Sequence, residues 1–119
     1  MSTFVITKRL NDEYKFIFTS RKGNIIFTSL SYELKFECEE AIELLRNSIK
    51  ETLFIKKKST KGKFYFDVLL NDKIYATSRK FSTLLMLQKG IDGINKYLFK
   101  SEVLDFSNQD EIFQEKATI

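Results

Sequence analysis

DEYKFIFTSRKGNIIFTS, residues 12–29, and GKFYFDVLLNDKIYATS, residues 62–78, are two renderings of one pattern. Each is a strand, a polar turn and a second strand that ends in Thr-Ser. Phe16 corresponds to Phe66, Phe18 to Val68, Ile25 to Ile74, and Thr28-Ser29 to Thr77-Ser78. In the first copy a period of two sends Tyr14, Phe16 and Phe18 one way and Lys15, Ile17 and Thr19 the other. Gly23 supplies the positive φ that the tight polar turn asks for.

Working outward, TFVITK at residues 3–8 is β-branched and aromatic and reads as a preceding strand. Short turns then make the first three strands an antiparallel meander. Leu34, Cys38, Ala41, Ile42, Leu45 and Ile49 recur at spacings of three and four, predicting a helix over about 33–48 with Ser31 as its N-cap. The pattern restarts at residue 51, with Phe54 opposite Phe4. It ends in a second helix over about 83–97, capped by Ser82 and striped by Leu84, Leu87, Ile91, Ile94 and Leu98. Gly90 stands where the first helix has Ala41, which predicts a close approach beneath that helix. EVLDF at residues 102–106 reads as one more strand. The fold class is therefore α+β: two tandem β-β-β-α(-β) repeats, about 3–50 and 51–106, forming one sheet with both helices packed on one face. Residues 1–106 are expected to be a single domain, and 107–119 an acidic C-terminal tail.

The repeated order, [DG]-x-[YF]-x-F, a turn, an x-I-x-x-T-S strand, then an aromatic leading a helix that carries a small residue before isoleucine, resembles the YegP-like family of small domains of unknown function. The matching residues are Asp12, Tyr14, Phe16, Asn24, Ser29, Tyr32, Ala41, Ile42 and Leu45 in the first copy. In the second they are Gly62, Phe64, Phe66, Ser78, Phe81, Gly90, Ile91 and Ile94. The resemblance implies two copies that share one sheet and exchange their last strands. EVLDF would then be the exchanged strand of the second copy, and the segment around 52–56 would lie at the junction. Ala41 replaces one of the family's glycines, and Lys22-Gly23-Asn24 and Asn71-Asp72 vary its Asn-Gly turn. The resemblance implies no catalytic residue.

Composition narrows the function classes. The 119 residues include no histidine and one cysteine, so charge relays and the common metal sites lack their usual parts. Cys38 sits in a helix stripe among Glu37, Glu39 and Glu40, the setting of a structural thiol. Glu39, Glu40 and Glu43 read as a solvated face, and no glycine-rich phosphate loop exists. We expect no enzyme activity, no cofactor and no metal. A lone cysteine and an N-terminus without a long apolar run suit a cytoplasmic protein, and no stretch is apolar enough for a membrane span.

Twelve phenylalanines and five tyrosines supply a core without disulfides. The net charge of +4 is unevenly spread: the second copy is basic and the tail acidic. A sheet with helices on one side leaves its other side in need of cover. By alternation that side carries Val5, Lys15, Ile17, Ile26, Ile55, Lys63, Tyr65 and Tyr75. Of these, Lys15, Ile17, Ile26, Lys63, Tyr65 and Tyr75 form the candidate interaction face. Its apolar members suit a homodimer, so the expected function is a non-enzymatic binding module that self-associates through this face. The alternative is a single-stranded nucleic-acid-binding protein, with aromatics interleaved with lysines and Lys56, Lys57 and Lys58 as polyanion contacts. Lysines without arginine give only unspecific phosphate attraction. Asp110, Glu111 and Glu115 of the tail are positioned in sequence to mask such a basic surface.

Overall fold

The structure is a computed structural model and describes residues 2–107. In chain order the elements are β1 (Thr3–Lys8), β2 (Tyr14–Thr19), β3 (Ile25–Ser29), α1 (Lys35–Asn47), β4 (Leu53–Lys58), β5 (Phe64–Leu70), β6 (Lys73–Ser78), α2 (Leu84–Tyr97) and β7 (Glu102–Asp105). The strands form one sheet in the order β4-β5-β6-β3-β2-β1-β7. Every neighbouring pair is antiparallel except β1 and β7, which are parallel, so the sheet is mixed. The protein is an α+β fold of seven strands and two helices.

Two meanders, β1-β2-β3 and β4-β5-β6, meet where β3 pairs with β6 through Thr28 and Thr77. β7 crosses to the far edge and lies parallel to β1, with Phe4 opposite Val103. The segment around 52–56, expected at the junction, is instead the opposite edge: among the described residues β4 pairs with β5 alone. Hairpin chemistry follows the residues present. Asn71 and Asp72 both have positive φ, 52° and 62°, as a two-residue type I′ turn requires.

The Thr-Ser ending of β3 and of β6 has a structural use. The Phe16 N–H donates to Ser29 Oγ at 2.8 Å, and the Phe66 N–H donates to Ser78 Oγ at 2.9 Å. Each hydroxyl in turn donates to the next backbone carbonyl, of Leu30 or Arg79. A buried amide is thus satisfied where the regular ladder is interrupted. Just beyond, Tyr14 and Tyr32 exchange two backbone hydrogen bonds of 2.7 Å, and Phe64 and Phe81 exchange bonds of 2.9 and 2.7 Å.

One core joins the strands to the helix stripes. Phe4, Phe16, Phe18, Phe27 and Phe66 are fully buried, with Ile42 and Leu45 of α1 and Leu87 and Ile94 of α2. Phe18 stacks on Phe27 at 5.2 Å, and Phe54 meets Phe66 edge-on at 5.6 Å. Both helices start later than their sequence suggests. Leu34 precedes α1, with its N–H donating to Glu37 Oε1 at 3.1 Å, and Thr83 Oγ1 caps α2 by accepting from the Met86 N–H at 3.1 Å. Leu34 and Leu84 consequently lie outside the apolar stripes and are exposed. The caps went to residues nearer the first buried turn rather than to Ser31 and Ser82, which the pattern favoured.

Candidate interaction surface

Alternation puts every second strand residue away from the core, and register aligns them into a row that crosses the sheet. Ile55 pairs with Asp67, Asp67 with Thr77, Thr77 with Thr28, Thr28 with Ile17, Ile17 with Val5, and Val5 with Leu104. Leu69 and Ile74 pair beside it on one side, and Thr19 and Ile25 on the other. Leu53, Ile55, Ile25, Ile74 and Leu104 are all exposed, Leu53 most of all at 57%.

The row contains one charge that sequence reasoning did not single out. Asp67, only 6% exposed, receives Lys57 Nζ at 2.6 Å and a hydrogen bond from Thr77 Oγ1 at 2.8 Å. The carboxylate is held by one cation and one hydroxyl, as a carboxylate lying this low in the surface requires. Lys57 in turn has its pKa raised by the hydrogen bond and charge of Asp67. An acid inside the strand run FYFDVLL, two residues from Tyr65 and opposite a lysine-bearing strand, was the available signal.

Two members of the expected face are not on it. Ile26 and Tyr75 are 9% and 8% exposed. Each sits at a register shift, between Phe18 and Thr19 for β3 and between Val68 and Leu69 for β6. The β-bulge places two residues opposite one and breaks the alternation, so Ile26 and Phe27 are both buried, as are Tyr75 and Ala76. Ile26 lines a cavity together with Gly90 and Ile94 of α2, and Tyr75 lines another together with Ala41 and Leu44 of α1.

The three-lysine contact also comes apart. Lys56, Lys57 and Lys58 are consecutive in β4, so their directions alternate. Lys56 Nζ donates to Gln88 Oε1 of α2 at 2.7 Å, and Lys58 Nζ lies 5.7 Å from the Phe64 ring centre. Only Lys57 turns to the outer row, where Asp67 pairs with it. Of the remaining candidates, Lys15 and Ile17 lie half-buried on β2, Tyr65 lies half-buried opposite Lys57, and Lys63 is exposed in the β4–β5 turn. The face thus brings Tyr65 to Lys57 and Ile17 to Val5, but divides these pairs between the two meanders.

Chemistry elsewhere is spare. Cys38 is fully buried, and burial, then Glu39, Asp105 and Glu37, pushes its thiol up to about 12, so it is protonated and unreactive near neutrality. Among the described residues no cluster of carboxylates and thiol is placed to hold a metal, and no helix is long and apolar enough to cross a membrane.

The UPF0339 protein YegP of Escherichia coli (strain K12) is 30% identical over 93 residues, covering 76% of this chain and 84% of that protein. The chain belongs to the UPF0339 (YegP) family. A UPF0339 protein of Shewanella oneidensis is 29% identical over the same length and shares. The fold agrees with solved members. The solution structure of the E. coli protein, described as of unknown function, matches with a TM-score of 0.80 at 28% identity, covering 89% of this chain and 93% of that one. The solution structure of the Shewanella oneidensis UPF0339 protein SO3888 matches with a TM-score of 0.80 at 23% identity over 89% and 92%. No protein-family profile matches the sequence. Family membership carries an uncharacterised function, so the surface has to be read from its own residues.

Proposed function

We propose that this UPF0339 protein is a non-enzymatic interaction module, an internal duplication whose two helices lie on one side of the sheet and whose other side binds a second copy. The observation that carries this reading is the apolar outer surface: Val5, Ile17, Ile55 and Leu104 in one row, flanked by exposed Leu53, Ile25 and Ile74. Asp67, Thr77 and Thr28 part these side chains into two apolar groups at the ends of the row, and apolar groups of this kind on one sheet side mark contact surfaces. Six inter-strand steps of about 4.8 Å and a strand length of about 17 Å give about 500 Å² per copy. A pair would bury about 1,000 Å², the low end of specific interfaces, which suits reversible pairing. The Asp67–Lys57 pair is self-neutralising, so two such faces meet without net repulsion from this part of the row.

The nucleic-acid reading has less support. Lys56 and Lys58 lean to the helix side, Lys57 is paired, and Tyr75 is buried. It calls for salt-dependent binding of a single-stranded oligonucleotide at about 50 mM salt.

Sedimentation equilibrium tests the pairing. A dimer with a Kd of about 10–100 µM, roughly 5–7 kcal/mol, is expected. The double variant Ile17→Lys, Ile55→Lys should sediment as a monomer with an unchanged amide spectrum. A native chain that stays monomeric at about 500 µM, well above that Kd range, refutes the reading.

A further inference from the structure

Gly93 occupies the interior of α2 for no packing reason. A Cβ built there meets nothing within 4 Å, whereas one on Gly90 would come 3.1 Å from Phe81 Cζ. Gly90 therefore answers a close approach, and Gly93 does not. A helix-interior glycine costs about 1 kcal/mol relative to alanine. With Gly90, Gly93 lines an open cavity of about 240 Å³ between α2 and the β2–β3 turn, into which its missing side chain leaves room. Phe18, Ile26 and Ile94 form its apolar walls, and the bulge that turns Ile26 inward helps to shape it.

The mouth is basic. Arg21, Lys22 and Lys89 stand around it, and among the described residues no carboxylate lines it. None of the three is in an ion pair among the described residues. Arg21 is placed rather than free: its Nη1 lies 3.4 Å from Tyr97 Oη, and its guanidinium 5.5 Å from the Tyr97 ring centre. The comparable groove over α1 has Leu44 and Tyr75 where this one has Gly93 and Ile26, and its edge carries Glu37, Glu39, Glu40 and Glu43. Cationic mouth and Cβ-less floor thus occur together on α2 alone.

We propose that this cavity binds a small apolar monocarboxylate, one aromatic ring or a short acyl chain, with its carboxylate at Arg21, Lys22 and Lys89. The volume sets the size, since pockets for drug-sized ligands run to about 300–1,000 Å³. Apolar walls take the ring or chain, and three cations outside any ion pair among the described residues take a single negative charge through charge-assisted hydrogen bonds. The cavity shares no residue with the outer row, so this site and the proposed pairing stand or fall separately.

The test is an amide-shift titration of the full chain with benzoate and octanoate, with benzyl alcohol and inorganic phosphate alongside. Saturable shifts at Ile26, Gly90 and Gly93 are expected with the two carboxylates. The alcohol should bind at least about tenfold more weakly, as expected for loss of a charge-assisted contact, and phosphate should leave the three amides unmoved. Gly93→Leu should abolish binding by filling the floor. The triple variant Arg21→Gln, Lys22→Gln, Lys89→Gln should reduce carboxylate affinity to that of the alcohol, and it carries the test if the leucine variant does not fold. Absence of saturable shifts at about 10 mM, where even a weak ligand of ~4 kcal/mol saturates, overturns the proposal. So do equal shifts with phosphate, or undiminished binding in the triple variant.

Discussion

Ser29 and Ser78 show how much one hydroxyl carries here. Each is under a tenth exposed and is the acceptor for a buried N–H, of Phe16 or Phe66. Ser29→Ala or Ser78→Ala should lower stability by about 1–3 kcal/mol in urea unfolding, the cost of an orphaned buried donor. The two glycines of α2 should respond differently. Gly93→Ala should stabilise by about 0.5–1 kcal/mol, because helix propensity improves and the space is open. Gly90→Ala should gain less or lose, because its Cβ presses on the Phe81 ring. At this scale the sequence was partly legible. Recurring Thr-Ser pairs and a small residue at 41 and 90 were visible as patterns. Their uses were not, because the amide served by Ser29 lies 13 residues away in another strand.

Among the elements, β7 has the most conditional place. Among the described residues it pairs with β1 alone, all four of its residues are exposed, and Lys35 Nζ of α1 reaches Asp105 Oδ2 at 2.7 Å. Burial pulls the Asp105 pKa up, but hydrogen bonds from Lys35 and Ser107 outweigh it and leave the value below the ordinary 3.8. A depressed carboxylate pKa contributes stability above the ordinary value and loses it as pH falls through the lower folded value. Amide exchange at residues 102–105 should therefore accelerate, relative to that of β2, as pH falls below about 4, and Asp105→Asn should show that acceleration already at neutral pH. A flat ratio between the two strands across this range contradicts it. The strands and helices themselves were legible, since alternation and helical stripes reach across few residues. The bulges at Ile26 and Tyr75 were not, because a bulge is a mismatch between two strands and neither strand shows it alone.

At the scale of the whole molecule, the two meanders depend on one another. Thr28 and Thr77 join them, β7 returns to the first, and a single core holds the aromatic residues of both. A half of roughly 50–70 residues lies in the size range where the surface buried by one half is marginal for folding. Residues 1–50 and 51–119 produced separately should each lack dispersed amide shifts, and mixing them should restore the native spectrum. Independent folding of either half would contradict this. The expected acidic tail, with Asp110, Glu111 and Glu115, lies outside the described residues apart from Ser107. The sequence by itself determined the α+β class, the doubled meander, the phenylalanine core and the inert setting of Cys38, because each follows from local periodicity and composition. Tertiary structure alone decided which way Ile26 and Tyr75 turn, how the three lysines of β4 disperse, that Asp67 is neutralised in place, and that Gly93 lines a cavity. Those outcomes depend on register and on neighbours distant in the chain, and no window of consecutive residues contains them.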